Sequence, residues 1–148
     1  MSVKANERPL EILLVEDNLA DVRLLVEALK EGKDYHRMNV VTNGVEAMNY
    51  LNRKGKFSDA SRPDIILLDL NLPKKDGREV LKEIKSDKKF KRIPVVVLTT
   101  SDSEEDISKS YEYHANCYIT KPVDLDQFIQ VVNAIENLWL ENAALPVE

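Results

Sequence analysis

The sequence predicts an α/β domain built on one parallel sheet, and three observations carry that expectation. Short apolar runs of strand length recur five times along the 148 residues, a length that suits one domain with a sizeable core. Each run is followed by an amphipathic stretch with its apolar residues at helical spacing. The run "IILL" (65–68) has no polar alternation at all, which fits a strand covered on both faces by crossover helices.

Taken in order, "LEILLV" (10–15) reads as the first strand, and 19–31 as a helix with Val22, Leu25, Val26 and Leu29 on one face. "MNVVT" (38–42) is the second strand, and a helix from about Gly44 to Arg53 turns Ala47, Met48 and Leu51 inward. A polar connection, "NRKGKFSDASRP" (52–63), leads to the third strand at 64–69 and a helix over 77–88 that buries Val80, Leu81 and Ile84. "IPVVVLTT" (93–100) is the fourth strand. Ser101 and Glu104 have capping-box spacing for the helix over 103–113. "NCYIT" (116–120) is the fifth strand, and Asp124 is the expected N-cap of a last helix carrying Phe128, Val131, Val132, Ile135, Leu138 and Trp139 to about residue 140. The expected domain is therefore 10–141, with a flexible segment at 1–9 and a short tail at 142–148. Right-handed crossovers leave few topologies, and at this length the common one is the flavodoxin-like, doubly wound (βα)5 order 2-1-3-4-5.

Composition narrows the function. With 43% hydrophobic and 32% charged residues the chain is an ordinary soluble protein, and no apolar stretch approaches the roughly 18 residues of a membrane span. The start lacks the apolar core of a secretory signal, and the one cysteine, Cys117, cannot form an internal disulfide, so the expected location is the cytoplasm. Cys117 itself reads as a small buried hydrophobe, and His36 and His114 as surface residues without a second ligand at metal spacing. From Lys74 to Arg92 nine Lys/Arg stand against four Asp/Glu, but with one aromatic, Phe90, rather than the interleaved series that base stacking uses, and with acids on the same helix. A solvated, ion-paired helix face fits that stretch better than a nucleic-acid footprint.

The chemistry is expected where the strands end. Ligands of such sheets sit beyond the carboxyl ends of the strands, at the switch point between the first and third. Glu16 and Asp17 follow the first strand, Asp69 the third, Thr99 and Thr100 close the fourth, and Lys121–Pro122 follows the fifth. Each has an ordinary reading alone: Asp17 or Asn18 as a helix cap, Asp69 as a turn residue, Thr99 as a strand former, Lys121 as a surface charge. Together they are a converging set. Three carboxylates repel one another, so Lys121 must balance one and a hard divalent ion the rest; Mg²⁺ suits carboxylates with carbonyl and water ligands, and Asn71 could add its main-chain carbonyl. Asp69 could then act as a nucleophile toward a phosphoryl group.

These residues, with "LLDLNLPKKDGREVL", "RIPVVVLTTS" and "NCYITK", resemble the receiver domain of two-component response regulators over about residues 10–141. With the long last helix ending "NLWLE", the chain looks most similar to regulators paired with phytochrome histidine kinases, as a single-domain regulator without an output domain. The resemblance implies that Asp69 accepts the phosphoryl group of a sensor histidine kinase, that Glu16, Asp17, Asp69 and Asn71 hold Mg²⁺, and that Lys121 pairs with the phosphoryl oxygens. It implies Thr99 as the switch hydroxyl, Tyr118 as the switch aromatic moving from an exposed to a buried rotamer, and a cis Lys121–Pro122 bond. The only reaction expected is the chain's own phosphorylation and dephosphorylation, the latter tuned by Asn71 and Thr100; it is not otherwise an enzyme. Two positions depart from the family pattern. Glu16 stands where many receivers have Asp, which would shift its metal contact to one through water. Thr100 replaces a small residue, which would hinder the hydrolytic water. The last helix, with Trp139, points to a homodimer through the face of the fourth helix, fifth strand and fifth helix. The downstream partner is a protein effector or a histidine phosphotransfer protein, and neither nucleic acid nor membrane is expected.

The rival readings are weaker. A haloacid-dehalogenase-like phosphatase needs a second Asp where Asn71 stands. A flavin phosphate would meet Glu16 and Asp17. A phosphorylation-independent interaction module would not explain why the whole acidic set is present.

Overall fold

The structure, a computed structural model, describes residues 9–30 and 36–137. Strands β1 (Leu10–Val15), β2 (His36–Val41), β3 (Ile65–Leu68), β4 (Val95–Thr99) and β5 (Cys117–Thr120) alternate with helices α1 (Leu19–Lys30), α2 (Gly44–Leu51), α3 (Gly77–Ser86), α4 (Glu104–Glu112) and α5 (Leu125–Glu136). Every strand pairing is parallel and the order is β2-β1-β3-β4-β5, as the sequence predicts. Residues 1–8 of the predicted segment 1–9, the end of the last helix with Leu138 and Trp139, and the tail 142–148 lie outside the described residues.

Alternate residues of each strand point to opposite faces. Leu13, Val15, Ile66, Leu68, Val95 and Val97 pack with Leu51 of α2 and Val80, Leu81 and Ile84 of α3. Leu10, Ile12, Leu14, Ile65, Leu67, Val96 and Leu98 pack on the other side with Leu25 and Leu29 of α1 and Phe128, Val132 and Ile135 of α5. The three central strands are therefore buried throughout, while the edge strands β2 and β5 are only partly covered. This double cover is why β1, β3 and β4 carry continuous apolar runs.

Several element ends differ from the sequence reading. Ser103, not Ser101, caps α4: its hydroxyl accepts from the Asp106 amide at 3.0 Å, while the Ser101 hydroxyl donates to the Asp106 carboxylate at 2.6 Å. That start places Glu104, Glu105 and Asp106 together in the first turn, where the helix dipole favours them. β2 begins at His36, paired with Leu10, and both ring nitrogens of His36 are shielded from solvent, so it is not the surface residue expected; His114 is exposed as predicted. Cys117 is half-buried rather than buried, because β5 is an edge strand. α2 stops at Leu51, and the connection holds a 3-10 turn at Gly55–Phe57 whose Phe57 ring packs edge-on against Tyr50 at 5.4 Å. α3 stops at Ser86, because Asp87 turns extended and its side chain accepts from the Lys89 amide. Asp124 caps α5 as expected, accepting from the Gln127 amide at 3.1 Å.

Candidate functional site

The sheet ladder continues one residue past the strands and so fixes the backbone of the residues that follow them. The Glu16 amide donates to the Val41 carbonyl, the Asp69 amide to Val15 and the Lys121 amide to Thr99, at 3.0, 3.1 and 2.8 Å. Glu16 and Asp69 thereby sit side by side at the carboxyl edge of β1 and β3, with Lys121 arriving from β5. The helices close in behind them. A Cβ at Gly77 would collide with the Asp69 carbonyl and Leu70 Cα, so only glycine lets the start of α3 approach the loop this closely.

At the centre is the Lys121 ammonium, 7% exposed in its side chain, donating to Glu16 Oε1 at 2.6 Å, Asp21 Oδ2 at 2.8 Å and Asp69 Oδ2 at 3.3 Å. Burial alone would lower its pKa, but the bonds to Asp21 and Glu16 and the nearby Asp69 charge outweigh it and raise the pKa. Glu16 is almost wholly buried, and that desolvation, with the Asp69 charge, pushes its carboxyl up to about 7 against the opposing bonds from Lys121 and the Asn18 amide. One ammonium thus faces more carboxylate than it can neutralise.

The sequence places Asp17 or Asn18 as possible helix caps, and the structure separates them. Asn18 Oδ1 accepts from the Asp21 amide, which leaves Asp17 exposed at the mouth of the site. Ligand atoms of Glu16, Asp17 and Asp69 lie within 4.8 Å of one another, a spacing and chemistry that fit a hard divalent cation. Both Glu16 oxygens already have internal partners, Lys121 and the Asn18 amide.

The remaining predicted residues surround this centre. Asp69 Oδ1 accepts from the Asn71 amide at 3.1 Å. The Asn71 side-chain amide reaches Thr99 Oγ1 at 3.4 Å and Thr100 Oγ1 at 3.5 Å, with Thr99 fully buried and Thr100 exposed. The Tyr118 ring is half-buried against the α2/α3 side of the core, and its hydroxyl donates to the Ser101 carbonyl at 2.8 Å. Lys121–Pro122 is cis.

Sequence reasoning missed two contributors. Asp21 lies four residues after Asp17, so helical periodicity could have placed both at the site. Arg78 is the second. Its guanidinium grips Asp106 through two bonds of 2.7 and 2.6 Å, and also reaches the Leu70 carbonyl and Asn71 Oδ1 at 3.4 and 3.5 Å. It ties the loop after Asp69 to the start of α4.

A five-stranded sheet in this order, with acids and a lysine gathered at its switch point, is the architecture of a signalling receiver. The chain belongs to the response regulator receiver domain family, which it matches over residues 12–133. It is 51% identical over 146 residues to the response regulator Rcp1 of Synechocystis sp., with 99% of each chain covered. Among solved structures it is similar to the phosphorylated cyanobacterial phytochrome response regulator RcpA, at 58% identity and a TM-score of 0.82, covering 95% of this chain and 100% of that one. It is also similar to the Mn²⁺-bound form of Rcp1, at 52% identity and a TM-score of 0.81, covering 94% and 100%. Among the described residues no helix is long and apolar enough to cross a membrane.

Proposed function

We propose that this protein is a cytoplasmic phosphorelay regulator whose receiver unit spans about residues 10–141. It takes a phosphoryl group onto Asp69 from a phytochrome-type sensor histidine kinase and then changes a partner-binding face. The observation that carries this reading is the convergence of Glu16, Asp21 and Asp69 on the buried ammonium of Lys121, with Asp17 beside Glu16 and Asp69 at the mouth of the site. The likeness to a phosphorylated phytochrome regulator supports the donor class.

An Asp69 carboxylate oxygen attacks phosphorus as the P–N bond breaks and its electron pair returns to nitrogen; the kinase imidazole, already protonated at its other ring nitrogen, leaves neutral, so Asp69 supplies no proton. Lys121, already oriented by Glu16 and Asp21, shifts from Asp69 to the incoming phosphoryl oxygens, so its charge is in place before the reaction. Glu16, Asp17, Asp69 and the Asn71 carbonyl hold Mg²⁺, which when bound neutralises charge on the transferring group. The likeness to an Mn²⁺-bound regulator supports that assignment. Thr99, now accepting from Asn71 and from the Ser101 amide, turns to donate to the phosphoryl group. That pulls on the loop whose Ser101 carbonyl holds the Tyr118 hydroxyl, and a rotamer change of Tyr118 would remodel the face of α4, β5 and α5. The same face is proposed to pair two copies; a Trp139→Ala variant sedimenting as wild type would count against that.

The test is intact-protein mass after incubation with acetyl phosphate, with and without Mg²⁺. One Mg²⁺-dependent phosphoryl adduct is expected on the wild type and none on Asp69→Asn. No adduct on the wild type under any condition would sink the reading and favour a phosphorylation-independent interaction module.

A further inference from the structure

We propose that a basic cavity at the opposite end of the sheet binds a nucleoside phosphate. This proposal does not depend on the phosphoacceptor reading. The cavity, about 650 Å³, lies where α2 ends, where the chain enters β3, and along the connection from α3 to β4. Pro63 in its wall precedes Asp69 by six residues of nearly extended chain, roughly 20 Å away at strand rise. The two sites are therefore separate.

Six cations line it. Arg53 and Arg62 come from the α2–β3 connection, and Lys88, Lys89, Lys91 and Arg92 from the α3–β4 connection, with no Asp or Glu among the lining residues. The whole chain carries a formal charge of −5, so this concentration is not a by-product of a basic protein. Sequence reading treats Lys74–Arg92 as one ion-paired helix face. The structure divides it: Lys75 pairs with Glu83 of α3, and Arg78 of α3 with its cap Asp76 and with Asp106 of α4, whereas the run after Asp87 leaves the helix and turns toward the cavity.

That run is held rigidly. Asp87 accepts from the amides of Lys89, Phe90 and Lys91, and Lys85 donates to the Lys91 and Ile93 carbonyls at 3.1 and 2.7 Å. Arg62 donates to the Lys89 carbonyl at 2.5 Å, joining the two connections. Arg53, at φ 57°, is the left-handed residue that closes α2, its amide donating to the Tyr50 carbonyl and the Lys54 amide to Asn49, and this turn sets its side chain among the lining residues.

The lining also fixes the ligand class. Leu51, Pro63 and Phe90 form an apolar floor beneath the charged rim. The volume lies within the range of small-molecule sites, roughly 300–1,000 Å³. Guanidinium groups bind phosphate through two parallel bonds and stack on planar rings, which an ammonium cannot do. Phosphate on the rim with a flat, partly apolar base on the floor satisfies both halves of the cavity; a purely inorganic anion leaves the floor bare.

The experiment titrates the full chain calorimetrically in EDTA with ATP as probe, alongside adenosine, inorganic triphosphate and a glutamate-rich peptide. Backbone amide NMR shifts locate the binding. Saturable one-to-one ATP binding is expected, with shifts at Ser61, Lys89 and Phe90 and none at Asp17 or Lys121, and with adenosine and triphosphate each weaker than ATP. Lys91→Glu and Arg53→Gly should each weaken ATP by about tenfold, the scale of one lost charge-assisted bond. Arg53→Gly suits the left-handed backbone there, and its amide NMR spectrum away from the cavity should match wild type, which excludes misfolding as the cause. Absence of saturable ATP binding overturns the proposal, as do shifts confined to the Asp69 end. Triphosphate binding as tightly as ATP reduces the cavity to an anion patch, and tighter binding of the peptide makes it a macromolecular docking site; either result overturns the nucleoside class.

Discussion

At the scale of single residues the site is decided by side chains that stand beside Asp69 rather than by Asp69 alone. Thr100 is the clearest case. It is exposed at the mouth of the site, and its Oγ1 meets the same Asn71 amide that reaches Thr99. A hydrolytic water must pass this branched side chain and compete for that amide. Thr100→Ala should therefore shorten the lifetime of the aspartyl phosphate, by about fivefold if roughly 1 kcal/mol of barrier is removed. Decay of the phosphoryl adduct followed by intact mass checks this, and an unchanged lifetime would rule it out. Glu16 shows what local sequence can and cannot reveal. Its place after a buried strand made it a candidate ligand, but only the structure shows both its oxygens already engaged. Each carboxylate oxygen keeps a second lone pair, so the bonds from Asn18 and Lys121 orient Glu16 and still leave it able to meet a cation, directly or through a water.

At the scale of elements, Arg78 links the phosphoacceptor loop to α4. One guanidinium reaches the Leu70 carbonyl, Asn71, Asp76 and Asp106, and Asp106 in turn holds the Ser101 hydroxyl beside the carbonyl that binds Tyr118. Arg78→Lys keeps the charge but loses the two-pronged grip. Because Arg78 is partly exposed, the expected loss of stability is only about 1 kcal/mol. The larger effect should be faster hydrogen exchange of the first amides of α4, and unchanged exchange there would count against the link. The pair also sets a pH dependence. The hydrogen bond from Arg78, with that from Ser101, holds the Asp106 carboxyl well below the usual carboxylate range. A depressed folded pKa means that the unfolded chain binds the proton first on acidification. The Asp106 contribution is thus fully present above the ordinary carboxylate range and fades as the pH falls below it. The stability gap between wild type and Asp106→Asn, measured by urea unfolding, should shrink from pH 7 to pH 3. None of this linkage was legible in the sequence. Arg78 and Asp106 are 28 residues apart, and each looks like a solvated charge in a mixed run. The strands and the acidic set were legible because their signals are local: unbroken apolar runs, each closed by a charged or hydroxyl residue. The α4 cap is assigned to Ser101 by the sequence, although its start is not far off, because two serines two residues apart both satisfy a cap pattern and only the acids of the first turn choose between them.

At the scale of the whole molecule, the sheet holds a cluster of like charges at one end, and a fold must tolerate that in the absence of a counter-ion. The topology made the cluster predictable. Once five strands run parallel in the order 2-1-3-4-5, the residues after β1 and β3 are neighbours, and a side chain as long as Lys121 after β5 can reach them across the end of β4. The basic cavity at the other end was not predictable, because Arg53 and Arg62 are far in sequence from Lys88–Arg92 and only the crossover of α3 brings them together. The acidic end has a direct thermodynamic consequence. Burial raises the Glu16 carboxyl to about 7, above its unfolded value of 4.5, so the native state binds the proton more readily than the unfolded chain. That contribution is fully present below the unfolded pKa and is lost as the pH rises through about 7. A cation binding the native acids should restore it. At a free concentration about 100 times its dissociation constant, an ion that binds only the native state adds about 2.7 kcal/mol. For a chain of this size that corresponds to a rise in melting temperature of roughly 5–10 °C. Thermal unfolding at pH 8 with increasing Mg²⁺ should show this rise for the wild type. It should be largely absent in Asp17→Asn, which removes the exposed carboxylate and leaves the Lys121 bonds to Glu16, Asp21 and Asp69 intact. An equal Mg²⁺ response in the two proteins would place the ion elsewhere and remove Asp17 from the site.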